Sequence, residues 1–294
     1  MSRDVERVLE LRTRPGAVRD ALARRVRRPF LGPNGTLFLV AADHPARGVL
    51  AAGGDPLAMA DRLELVRRLV VALSRPGVDG VLATADVVED LALLGALDDR
   101  VVIGSMNRGG LAGASFELDD RFTGYTAEAI AEAGLDGGKM LLRIADDDPG
   151  TLRTLEGCAR AIDALAARHL PAMVEVFPVR LEDGRLKATH DAASLVRSVA
   201  IASGLGSTSA FTWLKLPAVD EMERIARGTT LPILLLGGDP GADAPATYAR
   251  WAVAMRLPQV RGLVVGRALL YPPDGDVAAA VDAAAALVSR KVAA

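Results

Sequence analysis

Eight short apolar runs, each followed by a stretch of helical periodicity, constrain this chain more than any other feature. They read TLFLVAA (36–42), GVLATA (80–85), VVIGSM (101–106), KMLLRIA (139–145), AMVEVFP (172–178), FTWLKLP (211–217), PILLLGG (232–238) and GLVVGR (262–267). Several are apolar nearly throughout, as strands are when a parallel sheet is covered on both faces. Between them lie amphipathic segments such as MADRLELVRRLVVALSR, TLRTLEGCARAIDALAARH and ATYARWAVAMRL. Strand–helix units repeated eight times predict an α/β protein, a (β/α)8 TIM barrel. An open doubly wound sheet is the alternative. Two helical segments, about 3–11 and 16–27, precede the first strand, and an Ala-rich helix at about 276–291 follows the last. No linker rich in Pro, Gly or Ser marks a boundary, so residues 1–294 are expected to form one domain, with 1–35 a helical extension and 36–294 the barrel.

Bulk charge narrows the partners. A formal net charge of −2 gives no electrostatic case for nucleic acid or an anionic membrane. No apolar run approaches the roughly 18 residues that span a bilayer. The opening MSRDVERVLELRTR lacks the apolar stretch of a signal peptide, so a cytoplasmic protein is expected. The single cysteine, Cys158, leaves no internal disulfide and no Cys-based zinc cage. Neither a metal nor a cofactor is expected.

Lysine is scarce: of 35 basic residues only Lys139, Lys187, Lys215 and Lys291 are lysines. A lysine kept inside an apolar strand is therefore informative, because Arg cannot shed its proton and attack carbon. Lys215 stands near the C-terminal end of the sixth run, where barrels place their functional groups. Burial disfavours an ammonium and favours the neutral amine that adds to a ketone or aldehyde. A lysine neutralised for packing alone is the competing reading. Lys139 and Arg143 share one parity on the fourth strand and Glu175 lies inside the fifth, so these charges are expected to meet within the barrel. In a partly desolvated site the pKa of Glu175 is expected to rise toward neutrality, fitting it to shuttle protons.

Asp43, ending the first strand, is placed to orient hydroxyls or to steer an amine, or else to cap a turn. His44 beside it reads either as a functional neighbour of Asp43 or simply as a hydrogen-bonded wall residue. The third strand runs into Ser105-Met106-Asn107-Arg108-Gly109-Gly110, either a lip over the substrate or a plain loop. The last two strands end in Gly237-Gly238-Asp239-Pro240 and Gly266-Arg267, where backbone N–H groups and a guanidinium fork suit a phosphate. Ordinary turns are the alternative.

Taken in order, DHP, KMLLR, VEVFP, WLKLP, GG and VGR resemble the class I (Schiff-base) aldolases: the group of tagatose-bisphosphate, archaeal-type fructose-bisphosphate and deoxyribose-phosphate aldolases. They also resemble an actinobacterial branch of that group associated with myo-inositol catabolism. The resemblance spans about residues 36–273. It implies Lys215 as Schiff-base lysine, with Asp43, Lys139 and Glu175 as catalytic partners. Gly237, Gly238, Gly266 and Arg267, with Arg143, would bind substrate phosphate. The implied activity is cleavage of a phosphorylated keto-sugar or keto-sugar acid, with 2-deoxy-5-keto-gluconate 6-phosphate as one substrate, in a homo-oligomer. Two departures limit it: the seventh strand, PILLLGG, lacks the second lysine that deoxyribose-phosphate aldolases carry there, and the fifth offers Glu175 where archaeal fructose-bisphosphate aldolases place a tyrosine. Another Schiff-base lyase (a dehydratase or transaldolase-like enzyme) and a non-catalytic phosphosugar-binding barrel are the alternatives.

Overall fold

Nine strands form in the computed structural model, which describes residues 5–32, 34–182, 185–238 and 244–292. They are β1 (Leu37–Ala42), β2 (Gly80–Ala83), β3 (Val101–Ser105), β4 (Gly137–Ile144), β5 (Ala172–Glu182), β6 (Arg185–Ala188), β7 (Thr212–Pro217), β8 (Ile233–Leu236) and β9 (Val260–Val265). Parallel ladders join β1 to β2, β3, β4, β5, β7, β8 and β9 in turn, and β9 pairs back onto β1. The result is the expected closed eight-stranded TIM barrel.

β6 is the departure. The outer half of β5 continues past the barrel and pairs antiparallel with β6, Val179 facing Ala188 and Leu181 facing Leu186. The alternation in VRLEDGRLKA carries that signal, with an Asp-Gly pair between two strand-like runs. The charged residues obscure it. The helices α1 (Arg7–Arg12) and α2 (Ala17–Arg24) flank the break at Pro15-Gly16, where Gly16 turns at φ +78°, and α2 ends at Arg24, short of the expected 27. α2 packs beside α3 (Ala85–Leu93).

Side-chain parity divides the core in two. Phe38, Val40, Met140, Leu142, Val174, Val176, Leu214 and Leu216 face the helices. Residues of opposite parity point inward: Leu37, Leu39, Leu82, Ile103, Met173, Leu234 and Val264 fill the lower barrel, closed beneath by Phe30, Leu31 and Trp213. Phe30 meets Trp213 edge-on at 5.4 Å. One layer higher, the same inward parity delivers Ser105, Lys139, Glu175 and Lys215. The barrel is thus apolar below and ionic above, at the C-terminal ends of its strands.

Candidate active site

Register sets the geometry. Glu175 on β5 lies directly across from Lys215 on β7, and Ser105 on β3 across from Lys139 on β4. All four side chains are buried, together with Asp43 just beyond β1. They form a continuous relay. Lys215 Nζ is 2.8 Å from Glu175 Oε1, Glu175 Oε2 pairs with Lys139, and Lys139 Nζ donates to Asp43 Oδ2 at 3.0 Å. Asp43, Lys139, Glu175 and Lys215 are the four residues expected to carry the chemistry, and the fold brings them together.

Two further donors converge on the same oxygen of Asp43. Ser105 Oγ donates at 3.1 Å and Arg108 Nη2 at 2.8 Å, while Arg108 Nη1 donates to the Asp43 carbonyl at 2.6 Å. Only the SMNRGG run hinted at them. Arg108 is no plain loop residue: it is buried and holds the aspartate from above. Asn107 ties the same segment to β4, Nδ2 donating to Leu141 O at 2.6 Å and Oδ1 accepting from Leu141 N at 2.7 Å. That pair of bonds continues the ladder past the end of β3 and fixes the strand that carries Lys139.

The electrostatics follow from crowding charges in a small volume. Burial alone would raise the pKa of Glu175, but Lys139 and Lys215 overcome it and hold the carboxyl at about 2. The rise toward neutrality expected for Glu175 is therefore not found; two ammonium neighbours outweigh desolvation. Asp43 behaves alike: burial pushes it up, yet Lys139, Arg108 and Lys215 draw it well below the usual carboxylate range. Burial pulls Lys139 down, opposed by Asp43 and Glu175.

The relay opens into a cavity of about 200 Å³, walled also by His44, Leu236, Gly237, Gly238, Gly266 and Arg267. The expected anion-binding residues reach this wall by different routes. Gly238 holds φ +71°, which favours glycine. A Cβ on Gly237 would run into Val265, and one on Gly266 would meet the Ala41 carbonyl and the His44 ring. Packing thus explains two of the three glycines without a ligand. Asp239 and Pro240 lie outside the described residues. Arg267 Nη1 donates to Ala51 O at 3.3 Å.

Arg143 also lines the cavity, but its fork is committed to protein. Nη1 binds the Glu117 carboxylate, and Nη2 donates to the Gly110 carbonyl at 3.3 Å and stands 3.6 Å from Asp120. With Arg47, which also pairs with Asp120, it clamps the loop between β3 and β4 over the site. His44, read alternatively as a hydrogen-bonded wall residue, has no side-chain hydrogen bond among the described residues; its Nδ1 is buried and 4.0 Å from Asp43 Oδ1. Among the described residues, no group of three or more His, Cys, Asp or Glu side chains is arranged to hold a metal ion. Nor is any helix there long and apolar enough to cross a membrane.

Residues 35–285 match the family described as Cgl0159-like. The crystal structure of Cgl0159 from Corynebacterium glutamicum is 53% identical over 97% of this chain and 96% of that one, with a TM-score of 0.94. An archaeal fructose 1,6-bisphosphate aldolase is 17% identical, covering 92% of this chain and 98% of its own, at a TM-score of 0.62. A second archaeal fructose-1,6-bisphosphate aldolase structure, with its catalytic Lys covalently bound to the carbinolamine intermediate of the substrate, is 16% identical at a TM-score of 0.61, covering 92% and 99%. No curated protein matches the chain in sequence.

Proposed function

Because the chain belongs to the Cgl0159-like family and shares its barrel with Schiff-base aldolases, we propose that it is a class I aldolase acting through Lys215. The observation that carries this reading is the relay Lys215–Glu175–Lys139–Asp43, buried beneath a cavity at the C-terminal end of the barrel. A single buried ion pair would serve packing. An alternating chain of two lysines and two carboxylates, all lining one cavity, suits proton movement around a forming imine.

The steps follow from the contacts. Glu175 Oε1, 2.8 Å away, takes the ammonium proton of Lys215, and the freed amine adds to the substrate ketone. The nitrogen then passes a second proton to the new alkoxide, and Glu175 returns the first to the resulting carbinolamine hydroxyl, which leaves as water. The resulting iminium draws in the electrons of the neighbouring C–C bond as the hydroxyl beyond it gives its proton to Glu175 and becomes an aldehyde. Glu175 returns that proton to the enamine carbon, and addition of water to the iminium so formed releases the ketone product and frees Lys215. Lys139, shared between Glu175 and Asp43, keeps both carboxylates ionised and in place. Asp43 orients substrate hydroxyls. Arg267, with the backbone at Gly237, Gly238 and Gly266, takes the phosphate; Arg143 acts on the substrate through the loop it clamps.

The substrate class is a phosphorylated keto-sugar or keto-sugar acid, and 2-deoxy-5-keto-gluconate 6-phosphate of inositol catabolism is the compound to try first. Its cleavage would give dihydroxyacetone phosphate and malonate semialdehyde. The test is intact-mass measurement after borohydride reduction with a panel of keto-sugar phosphates, alongside assay of both carbon fragments. A reduced adduct plus two fragments is expected. A stable, folded protein that forms no adduct with any of them overturns the reading, and an adduct with loss of water alone makes it a dehydratase.

A further inference from the structure

Beyond the relay, one side of the cavity turns apolar. The strands run β4, β5, β7, β8 and β9 around the barrel. With a phosphate over β8 and β9 and the ketone at Lys215 on β7, the remainder of a substrate extends over β5 and β4. Leu141 on β4 stands directly across from Glu175 and shares its inward parity. Phe177, two residues past Glu175 on β5, keeps that parity and sits about 7 Å further toward the cavity mouth. Leu141 is buried, Phe177 is partly buried against Leu118, Ala145 and Val179, and both line the cavity.

The polar groups around these two side chains are already in use among the described residues. The N–H and C=O of Leu141 are both bonded to the Asn107 amide. Arg143 lies level with Phe177, but its Nη atoms hold Glu117 and the loop, and its Nε is buried. Glu117 spends Oε1 on Arg143 and Oε2 on the Gly113 N–H. Arg47 holds the Gly110 and Asn107 carbonyls and Asp120. A hydroxyl brought against Leu141 and Phe177 would shed its water and gain no partner, whereas a CH2 group there is favoured.

We propose that Phe177 and Leu141 select the aldehyde half of the substrate, admitting a methylene at the carbon next to the aldehyde carbonyl and rejecting a hydroxyl there. This rests on the Schiff-base reading, which places the carbons. The carbon whose hydroxyl gives its proton to Glu175 becomes the aldehyde, so the next carbon out meets the Phe177 ring and the Leu141 side chain. The substrate class narrows to phosphorylated keto-sugars or keto-sugar acids that are deoxygenated at that carbon, as 2-deoxy-5-keto-gluconate 6-phosphate is.

The test runs the reaction toward synthesis. Dihydroxyacetone phosphate is the donor, and the acceptors are 3-hydroxypropanal and each enantiomer of glyceraldehyde, which carries one hydroxyl more, at the carbon in question. Wild type is expected to favour 3-hydroxypropanal in kcat/KM by about 10- to 100-fold, the range in which an apolar pocket rejects one added hydroxyl. Phe177→Tyr and Leu141→Asn, which offer that hydroxyl a partner, are each expected to narrow the ratio by about 5-fold or more. Phe177→Leu, still apolar, is expected to keep it. Each ratio is taken within one protein, so a variant with less active material leaves it unmoved. A wild-type preference below about 3-fold, an unchanged ratio in both Phe177→Tyr and Leu141→Asn, a ratio as narrow in Phe177→Leu, or no product from either aldehyde overturns the proposal. Borohydride trapping with dihydroxyacetone phosphate separates it from the reading beneath it. Discrimination without an adduct sinks the Schiff-base reading and leaves the apolar selection standing; an adduct with equal use of both aldehydes does the reverse.

Discussion

Replacing Lys139 with methionine tests the relay where its charges are most tightly held. Lys139 is 1% exposed, 3.0 Å from Asp43 Oδ2 and paired with Glu175. Methionine keeps roughly the volume and removes the cation, leaving two carboxylates buried with one partner fewer each. Breaking a buried pair by deleting one partner costs about 3–5 kcal/mol. Here each carboxylate keeps other partners, Arg108 and Ser105 on Asp43 and Lys215 on Glu175, so the lower end, about 3 kcal/mol, applies. At about 2–3 °C per kcal/mol for a chain of this size, the melting temperature falls by roughly 6–9 °C. Scanning calorimetry at pH 7.5 reads it, with Lys187→Met as control: that lysine is exposed, and its pairing with Glu182 is worth under about 1 kcal/mol. A second signature follows. Without Lys139 both carboxyl pKa values climb back toward their unfolded values, so less stability is lost as pH falls below about 4.5 and the deficit against the parent narrows in acid. A Lys139→Met protein melting within 2 °C of its parent, with an unchanged acid limb, would refute the shared-cation account.

Other outcomes follow from the same contacts. The folded pKa values of Glu175 and His44 are depressed, to about 2 and about 3, from ordinary values of 4.5 and 6.5. His44 binds its proton more readily in the unfolded chain, so stability is lost as pH falls below about 6.5, at up to ~1.4 kcal/mol per pH unit. The stability that ionised Glu175 contributes is present above about 4.5 and goes as pH drops toward 2. Denaturant titrations across pH 4.5–7 on wild type and His44→Leu check this: the slope is expected in the first and largely absent in the second. Arg108→Ala removes two donors from Asp43 and is expected to cost about 2–4 kcal/mol in chemical denaturation, with Arg108→Lys recovering part. Arg267→Ala is expected to raise KM for a phosphorylated keto-sugar at least 10-fold, the scale of one charge-assisted contact, and to leave the melting temperature within 2 °C. An equal effect on an unphosphorylated analogue would remove Arg267 from the phosphate site.

Much of this architecture could be read before any coordinates. Parity alone placed Lys139 and Arg143 on the face of Leu141, opposite Met140 and Leu142, and that face is the barrel interior. What parity cannot give is register. That Glu175 lies level with Lys215 depends on the stagger between β5 and β7, set by loops and helices far from either residue. Nor does a sequence show how many cations surround one carboxylate, so the acidity of Glu175 was misjudged when desolvation was weighed without Lys139 and Lys215 both in contact. Arg108 was hidden because a guanidinium that folds back from a loop leaves no periodic trace. The β5–β6 hairpin was hidden because its residues are charged, although Asp183-Gly184 is a turn signal in its own right.

The account stands or falls on one covalent bond. The protein is incubated with dihydroxyacetone phosphate, reduced with borohydride and digested, and the modified peptide is sequenced by mass spectrometry. The predicted result is one reduced adduct, on Lys215, absent from Lys215→Met and competed by substrate. A label on Lys139 or Lys187 instead, or a folded protein that binds the ketone and takes no label, would contradict it.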